Sequence, residues 1–232
     1  MIKDQLQEIR NRVKEAALRV GRDEEEVTLI AVSKTYSVEA IEEAMIEGCR
    51  DFGENQVQEL IGKIDAIPKD VNWHLIGHLQ TNKVKYIIGK TALIHSVDSL
   101  KLAEEIEKQS AKKNQITSIL VEVNVAEEAS KYGFKCEEVV EVMKKLNTMS
   151  HIKVEGLMTV APFVEDAEEN RPIFRKLYEL SVDIQKQKLD NISNTILSMG
   201  MSNDYEIAIE EGATMIRLGT AIFGNRDYGK KN

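Results

Sequence analysis

The chain has very little cysteine, since Cys49 and Cys136 are its only thiols among 232 residues. Two thiols this far apart do not form the disulfide framework of a small secreted protein, and a reducing cytoplasm suits them better. The sequence also lacks any run of about 18 successive apolar residues, and its amino terminus has no apolar stretch of signal-peptide length. These absences predict a cytoplasmic, unprocessed protein without a membrane-spanning segment.

Basic residues are also in the minority. The chain has 31 lysines and arginines against 39 aspartates and glutamates, which leaves a net charge of −8 at neutral pH. An acidic surface repels phosphate backbones and anionic lipid headgroups unless a local patch is basic. We therefore expect neither nucleic acid nor a membrane surface among the partners of this protein.

What the sequence does contain is a regular alternation of β-rich runs and helical patterns. An amphipathic helix comes first, with Leu6, Ile9 and Val13 on one face. Eight β-rich runs follow, and helical patterns separate them, which implies parallel strands joined by crossover helices. The runs cover residues 27–33, 49–52, 72–76, 92–95, 118–125, 153–160, 195–199 and 215–218.

Eight units of this kind favour a closed barrel over an open doubly wound sheet. No linker rich in glycine, serine or proline and no change of composition divides them. The sequence therefore predicts an α/β protein with a single domain over residues 1–232. We expect this domain to be one (β/α)8 TIM barrel with an additional N-terminal helix.

The first candidate site residue is Lys34, which directly follows the first strand. In such barrels the chemistry lies at the carboxyl ends of the strands, and the loops after the seventh and eighth strands commonly hold phosphate. Dehydration or a neighbouring cation at the barrel mouth lowers the pKa of a lysine and allows its amine to attack a carbonyl. Lys34 is therefore a candidate for a Schiff base, although an ordinary exposed lysine also fits this position.

Two loops have the composition of an anion site. After the seventh strand, Ser202 and the first free amides of the next helix offer hydrogen bonds to an anion. After the eighth strand, Gly219 and Thr220 present backbone amides and a hydroxyl, with a short helix behind them. The first loop alone is equally a plain helix cap. Because both loops lie where a barrel binds phosphate, together they predict a phosphate site.

Other polar residues lie along the strands. Arg217 is a charged residue within an apolar strand, so it needs a polar partner, and a structural ion pair with a carboxylate is the alternative explanation. Asn55 follows the second strand and would lie over the barrel mouth, although a helix cap explains it equally well. His74 and His78 form an i, i+4 pair without the glutamate or third ligand of a metal site, so we predict no metal.

These segments resemble, closely and in order, the pyridoxal 5′-phosphate homeostasis proteins, also called the YggS/PROSC family. The resemblance covers nearly the whole chain. One departure is at Tyr36 and Ser37, where many relatives have a second basic residue followed by proline, so no second lysine role beside Lys34 is implied. The matching stretches are 31–34 (AVSK), 51–59 (DFGENQVQE), 73–83 (WHLIGHLQTNK), 95–99 (HSVDS), 156–159 (GLMT), 198–204 (SMGMSND) and 217–224 (RLGTAIFG).

The resemblance implies a fold type III barrel like the amino-terminal domain of alanine racemase, with pyridoxal phosphate as cofactor on Lys34. It also implies that Asn55 lies near the cofactor and that Arg217 faces the pyridine nitrogen. Family members buffer and deliver this cofactor, so apo forms of pyridoxal-phosphate enzymes are implied partners, and we expect a monomer. The phosphate contacts are assigned by the resemblance to Ser202, Gly219 and Thr220.

Two enzymatic functions are the alternatives. An amino-acid racemase needs an acid and a base on opposite faces of a carbanion, and alanine racemase takes its second base from an extra β domain of the partner subunit. Here the predicted barrel uses the whole chain, and a cation at the pyridine nitrogen weakens the ring as an electron sink. A lysine-dependent aldolase needs a general acid or base, and no acidic residue at a strand end stands out. We therefore expect a binding protein with at most trace racemase-like activity.

Overall fold

The computed structural model describes residues 1–67 and 70–224, and these form a closed barrel of eight parallel strands. The strands pair in sequence order, and β8 closes the barrel by pairing with β1. This confirms the predicted (β/α)8 barrel with an N-terminal helix. The strands are β1 (Thr28–Val32), β2 (Asp51–Glu54), β3 (Asn72–Leu75), β4 (Leu93–Val97), β5 (Thr117–Glu122), β6 (Ile152–Met158), β7 (Ile192–Ser198) and β8 (Met215–Leu218).

Helices precede and connect these strands. Each of the eight predicted β-rich runs overlaps a strand, and β2 extends beyond its predicted run to Glu54, which pairs with Leu75 of β3. The helix α4 was not predicted, because four residues are too few to show a helical period. The helices are α1 (Ile2–Arg19), α2 (Val38–Ile46), α3 (Val57–Ala66), α4 (Val84–Ile87), α5 (Leu100–Lys112), α6 (Val139–Leu146), α7 (Arg171–Gln185), α8 (Tyr205–Glu210) and α9 (Thr220–Phe223).

The apolar core has two parts because side chains alternate across each strand. On β5, Ile119 and Val121 belong to the large cluster that packs the barrel against its helices. Leu120 belongs to a smaller cluster with Leu93 and Met158. The inner surface of the barrel is therefore only partly filled by apolar side chains, which leaves room for polar ones on the same strands.

Helix α1 is amphipathic, as predicted, and buries Leu6, Ile9 and Val13. It packs against α8 and α9, the helices that follow the two predicted phosphate loops. Arg19 adds an ion pair with Glu210 at the end of α8 (2.6 Å). Among the described residues, no helix is both long enough and apolar enough to cross a membrane.

Candidate functional site

A cavity opens at the carboxyl ends of the strands, where barrel proteins carry their chemistry. Its volume is about 520 Å³, which lies within the roughly 300–1,000 Å³ that is typical of small-molecule sites. The structure thus brings together residues from the two ends of the sequence. All six residues that the sequence predicts to bind a cofactor line this cavity: Lys34, Asn55, Ser202, Arg217, Gly219 and Thr220. The other lining residues are Val32, Ile76, Val160, Phe163, Met201 and Asn203.

The backbone just before Lys34 is held by buried polar groups. The Ser33 carbonyl accepts a hydrogen bond from Lys63 Nζ (2.7 Å), and the Ser33 hydroxyl donates one to Glu54 Oε1 (2.6 Å). Glu54 is the last residue of β2, and Lys63 lies on α3. These bonds fix the point at which Lys34 leaves the barrel wall.

The backbone just after Lys34 is held by the same group of side chains. The Thr35 amide donates a hydrogen bond to Glu59 Oε1 (2.5 Å), and Glu59 in turn accepts one from Lys63 Nζ (2.7 Å). Thr35 has a φ of 69°, a left-handed conformation that is uncommon for a β-branched residue. The surrounding hydrogen bonds therefore maintain a turn that the local sequence alone does not favour.

A buried ion cluster of Glu54, Glu59 and Lys63 therefore positions Lys34. Lys63 Nζ is 2.8 Å from Glu54 Oε1, and the Glu54 side chain is fully buried. Burial raises the pKa of Glu54, although hydrogen bonds from Lys63 and Ser33 act in the opposite direction. Sequence reasoning missed this cluster, and the only local signal was the i, i+4 spacing of Glu59 and Lys63 on α3.

The two predicted anion loops meet at Ser202. The Thr220 hydroxyl donates to Ser202 Oγ (3.3 Å), and the Ala221 amide approaches the same oxygen (3.4 Å). Ser202 does not cap α8, because the residue at the cap position is Asp204. Two hydroxyl groups and a backbone amide from the segments after β7 and β8 thus lie together, an arrangement that is able to bind an anion.

The loop before α8 is shaped by Asp204 and Gly200. Buried Asp204 accepts hydrogen bonds from the Met201 amide (2.7 Å) and from Asn170 Nδ2 (2.8 Å). Gly200 has a φ of 90°, and a Cβ there would lie 2.6 Å from the Cβ of Ala208. Glycine is therefore required at this position by its backbone conformation and by the packing of α8.

Asn55 lines the cavity and does not cap a helix, because α3 begins at Val57 with Gln56 at its cap position. The next loop packs directly against its backbone. A Cβ at Gly77 would lie 2.5 Å from the Asn55 carbonyl oxygen, which is closer than real Cβ atoms approach other atoms. Gly77 therefore allows the close packing that holds Asn55 in place.

Arg217 reaches the cavity from inside the barrel. Its guanidinium donates hydrogen bonds to Ser198 Oγ (2.6 Å) and to the Thr159 carbonyl (2.8 Å). Burial lowers the pKa of Arg217 to about 10, while the charges of Glu122 and Asp204 act against this shift. Both hydrogen-bond partners are neutral. Within the described residues, Arg217 therefore has the polar partners that the sequence predicts, and these bonds are not an ion pair with a carboxylate.

Glu122, at the end of β5, is an acidic residue that sequence reasoning overlooked. Its pKa is raised to about 7 by burial and by the charge of Asp98, while Arg217 and Lys131 act in the opposite direction. Glu122 is an acidic residue at a strand end, but it is not among the described residues that line the mouth cavity. Nothing in the local sequence shows that the side chain faces the barrel interior, because that depends on the register of β5.

The two histidines of the i, i+4 pair diverge. His74 is buried and contacts His95 (2.9 Å) and Asp51 (3.0 Å), whereas exposed His78 contacts Asp98 (2.8 Å) and stacks on Tyr132. Within the part of the chain that the structure describes, no group of three or more potential ligands could hold a metal ion.

Comparisons with known sequences agree with this geometry. The family profile of the alanine racemase N-terminal domain matches residues 5–227. The pyridoxal phosphate homeostasis protein of Aquifex aeolicus (strain VF5) is 45% identical over 226 residues, which cover 97% of this chain and 98% of that protein. The protein of the same name from Escherichia coli (strain K12) is 37% identical over 231 residues, which cover 97% of each.

Solved structures show the same relationship. PipY of Synechococcus elongatus PCC7942 without PLP, 34% identical, superposes with a TM-score of 0.86 over 97% of this chain and 100% of that chain. PipY with PLP bound has a TM-score of 0.81 over the same shares of the two chains. Alanine racemase of Clostridium difficile 630 shares the fold, with a TM-score of 0.75 at 17% identity over 93% of this chain and 58% of that chain. With relatives this similar over nearly their full length, the chain belongs to the family of pyridoxal phosphate homeostasis proteins.

Proposed function

We propose that this protein binds pyridoxal phosphate in the mouth cavity and acts in its homeostasis by holding and releasing it. The observation that carries the proposal is that a lysine, an arginine and two hydroxyl-bearing loops converge on one cavity. The relationship to PipY, a protein whose structure has PLP bound, supports the same ligand.

The donors around the cavity fit the three polar parts of this ligand. Ser202, Gly219 and Thr220 offer hydroxyl and amide donors to a phosphate group, and Asn55 offers a side-chain amide nearby. Arg217 can donate to a ring nitrogen, and Lys34 supplies an amine for an aldehyde. When bound, the cofactor supplies an aldehyde carbon for covalent attachment and a ring that withdraws electrons.

Arg217 favours binding over catalysis. A guanidinium stays charged at neutral pH even though burial lowers the pKa of Arg217 to about 10. A second positive charge beside it is unfavourable, so Arg217 keeps a ring nitrogen in contact with it unprotonated. An unprotonated ring is a weak electron sink, and this supports retention of the ligand over racemisation.

The lining of the cavity also separates binding from racemisation. Racemisation needs two groups that exchange protons near neutral pH, one on each face of the substrate. Among the described lining residues, Lys34 and Arg217 are the only side chains with an ionisable group, and Arg217 remains charged. Lys34 is thus the one proton-exchanging side chain in this part of the cavity wall, which supports slow turnover at most.

The binding proposal is tested by the absorption spectrum of purified protein mixed with pyridoxal phosphate, before and after borohydride reduction. We expect a reduced adduct that peptide mapping places on Lys34, and its loss in Lys34→Ala. Lys112→Ala, which removes an exposed lysine on α5, is the matched control. A stable label on another lysine with Lys34 unmodified would reject the site.

The homeostasis proposal is tested by two assays on the loaded protein. We expect transfer of the ligand to an apo-enzyme that depends on pyridoxal phosphate, and little deuterium exchange at the α-carbon of added amino acids. Lys34-dependent racemisation at enzyme-like rates of about 1 per second or more would instead establish a racemase.

A further inference from the structure

A row of polar side chains crosses the inside of the barrel and ends at Arg217. Asp51 Oδ1 is 3.0 Å from His74 Nε2, and His74 Nδ1 is 2.9 Å from His95 Nε2. His95 Nδ1 is 2.9 Å from Ser198 Oγ, which accepts the Arg217 hydrogen bond at 2.6 Å. The row uses residues from β2, β3, β4, β7 and β8, in that order.

When both imidazoles are neutral, the chemistry of the two ends gives this row a single direction. A guanidinium only donates hydrogen bonds, and an ionised carboxylate only accepts them. Ser198 Oγ therefore accepts from Arg217 and donates its own proton to His95 Nδ1. His95 Nε2–H then donates to His74 Nδ1, and His74 Nε2–H donates to Asp51. In this arrangement each imidazole carries its proton on Nε2.

The surroundings of His95 agree with a neutral ring. His95 is completely buried, and burial lowers its pKa well below the ordinary value, with His74 and Arg217 acting in the same direction. The two ends of the row are more open. The Asp51 side chain keeps 24% exposure and lines a second cavity of about 380 Å³, whereas Arg217 lines the mouth cavity.

We propose that Asp51, His74, His95 and Ser198 are positioning residues for Arg217, acting through one hydrogen-bond chain of fixed direction that crosses the barrel. The chain presents a lone pair of Ser198 Oγ to the guanidinium and holds it toward the mouth cavity. The carboxylate of Asp51 sets the direction from the opposite end. The effect of this hydrogen-bond chain on the proton affinity of a bound ring nitrogen rests on the proposed binding of pyridoxal phosphate, whereas the direction of the hydrogen bonds does not.

Other charged groups face the same region and must be separated from this effect. Glu122 on β5 and Asp204 after β7 both act on Arg217. Asp98 and Lys131 act on Glu122, whose pKa is raised to about 7. Because Glu122 titrates near neutral pH, the decisive comparisons are made in both the wild-type and Glu122→Gln backgrounds. Glu122→Gln removes that titration and keeps the side-chain shape.

The direction of the hydrogen-bond chain is tested in the unmodified, cofactor-free protein. Two-bond proton–nitrogen NMR of the imidazoles reports which ring nitrogen carries the proton. At pH 7 we expect His74 and His95 to carry a proton on Nε2 and none on Nδ1, as the direction of the hydrogen-bond chain requires. A charged His95 at pH 7, or a proton on its Nδ1, would overturn the proposal without any variant.

The positioning role of the hydrogen-bond chain is tested with the variant Asp51→Asn. Unlike a carboxylate, an amide can also donate to His74 Nε2, so the variant permits both directions. We expect mixed tautomers at His74 and His95. In protein loaded with pyridoxal phosphate, the absorbance of the bound ligand changes with pH. We expect the pH midpoint of this change to shift by about half a pH unit or more, which corresponds to a change of roughly threefold in proton affinity.

Matched variants show whether this shift of the absorbance midpoint is caused by the hydrogen-bond chain. His151→Asn removes a histidine that pairs with Glu107 at 3.0 Å on the outside of the barrel, and it should leave the midpoint unchanged. Ser198→Ala should shift the midpoint, and Ser198→Thr, which keeps a hydroxyl, should restore it. Equal midpoints in wild type, Asp51→Asn and His151→Asn would refute the positioning role.

The two proposals fail in different ways. If no adduct forms on Lys34 in wild type, the proposed function fails, and the NMR result on the cofactor-free protein still decides the direction of the chain. If the adduct forms and Asp51→Asn titrates like wild type, the cofactor site stands and the positioning role of the chain is rejected.

Discussion

Replacing Lys63 by methionine should destabilise the protein more than any surface ion-pair substitution. Lys63 Nζ contacts Ser33 O (2.7 Å), Glu54 Oε1 (2.8 Å) and Glu59 Oε1 (2.7 Å), so all three of its protons are used. Methionine fills a similar volume and removes the cation. Glu54, which is fully buried, then loses its countercharge and faces Glu59.

The expected loss follows from the burial of each partner. Removing one member of a buried ion pair costs about 3–5 kcal/mol, because the other charge stays desolvated. Glu59 keeps a quarter of its side chain exposed, and water there screens part of the effect. The lower limit of about 3 kcal/mol is therefore expected, and for a chain of this length it lowers the melting temperature by about 6–12 °C.

The pH dependence of this loss identifies its cause. Burial already raises the pKa of Glu54, and Lys63 lowers it, so Lys63→Met raises it further. A carboxyl whose pKa is higher in the folded state contributes stability at low pH and loses that contribution as the pH rises through the folded pKa. The destabilisation should therefore be larger at pH 8 than at pH 5 in urea unfolding followed by circular dichroism.

A surface pair provides the control for this substitution. Lys14→Met breaks an exposed pair with Glu24 (3.2 Å) and should change stability by less than about 1 kcal/mol. The double variant Lys63→Met, Glu54→Gln removes both charges and should recover part of the loss. Equal stabilities of Lys63→Met and Lys14→Met at pH 8 would refute a stabilising role for the buried cluster.

Three further predictions concern the cavity and the barrel interior. Ser202→Ala and Thr220→Ala should each weaken retention of pyridoxal phosphate by about 1–3 kcal/mol, and the double variant by more, as measured by equilibrium dialysis; unchanged affinity in the double variant would place the phosphate elsewhere. Arg217→Glu should favour a protonated ring nitrogen and increase Lys34-dependent deuterium exchange of amino acids, and an unchanged exchange rate would contradict this role. Because the pKa of Glu122 is raised to about 7, its contribution to stability should be lost as the pH rises from 5 to 8, by up to about 3 kcal/mol. Glu122→Gln should flatten this decline in urea unfolding, and an unchanged slope would show that another group causes it.

The barrel was predictable because its signals are local. Each β-rich run and each helical pattern can be recognised within about a dozen residues. Their strict alternation makes a closed parallel barrel the simplest arrangement. The six cavity residues were predictable for a related reason. Asn55 directly follows β2, whereas Lys34 and Ser202 lie in the loops after β1 and β7, and the carboxyl ends of parallel strands meet at one end of a barrel.

The support beneath the cavity was not predictable in the same way. His74 attracted attention only through its spacing from His78, yet the structure turns the two side chains toward different neighbours. In the sequence, Ser198 and His95 stand out only as parts of the segments that carry the family resemblance. In the structure they are hydrogen-bonded to each other (2.9 Å), although 103 residues separate them. Such partners come from strands far apart in sequence, so no local pattern relates them.

The sequence by itself determined the fold class, the strand order and the candidate residues at the strand ends, because these depend on short-range periodicity and on one rule about strand ends. The resemblance to a known family added the assignment of Asn55 and Arg217 to the cofactor. Only the tertiary structure decided which polar side chains are buried and which groups they contact. Closure of the barrel sets the register of every strand, and a shift of one residue would turn each side chain to the opposite face. For that reason the ion cluster around Lys63, the raised pKa of Glu122 and the polar row that ends at Arg217 exist only in the folded barrel.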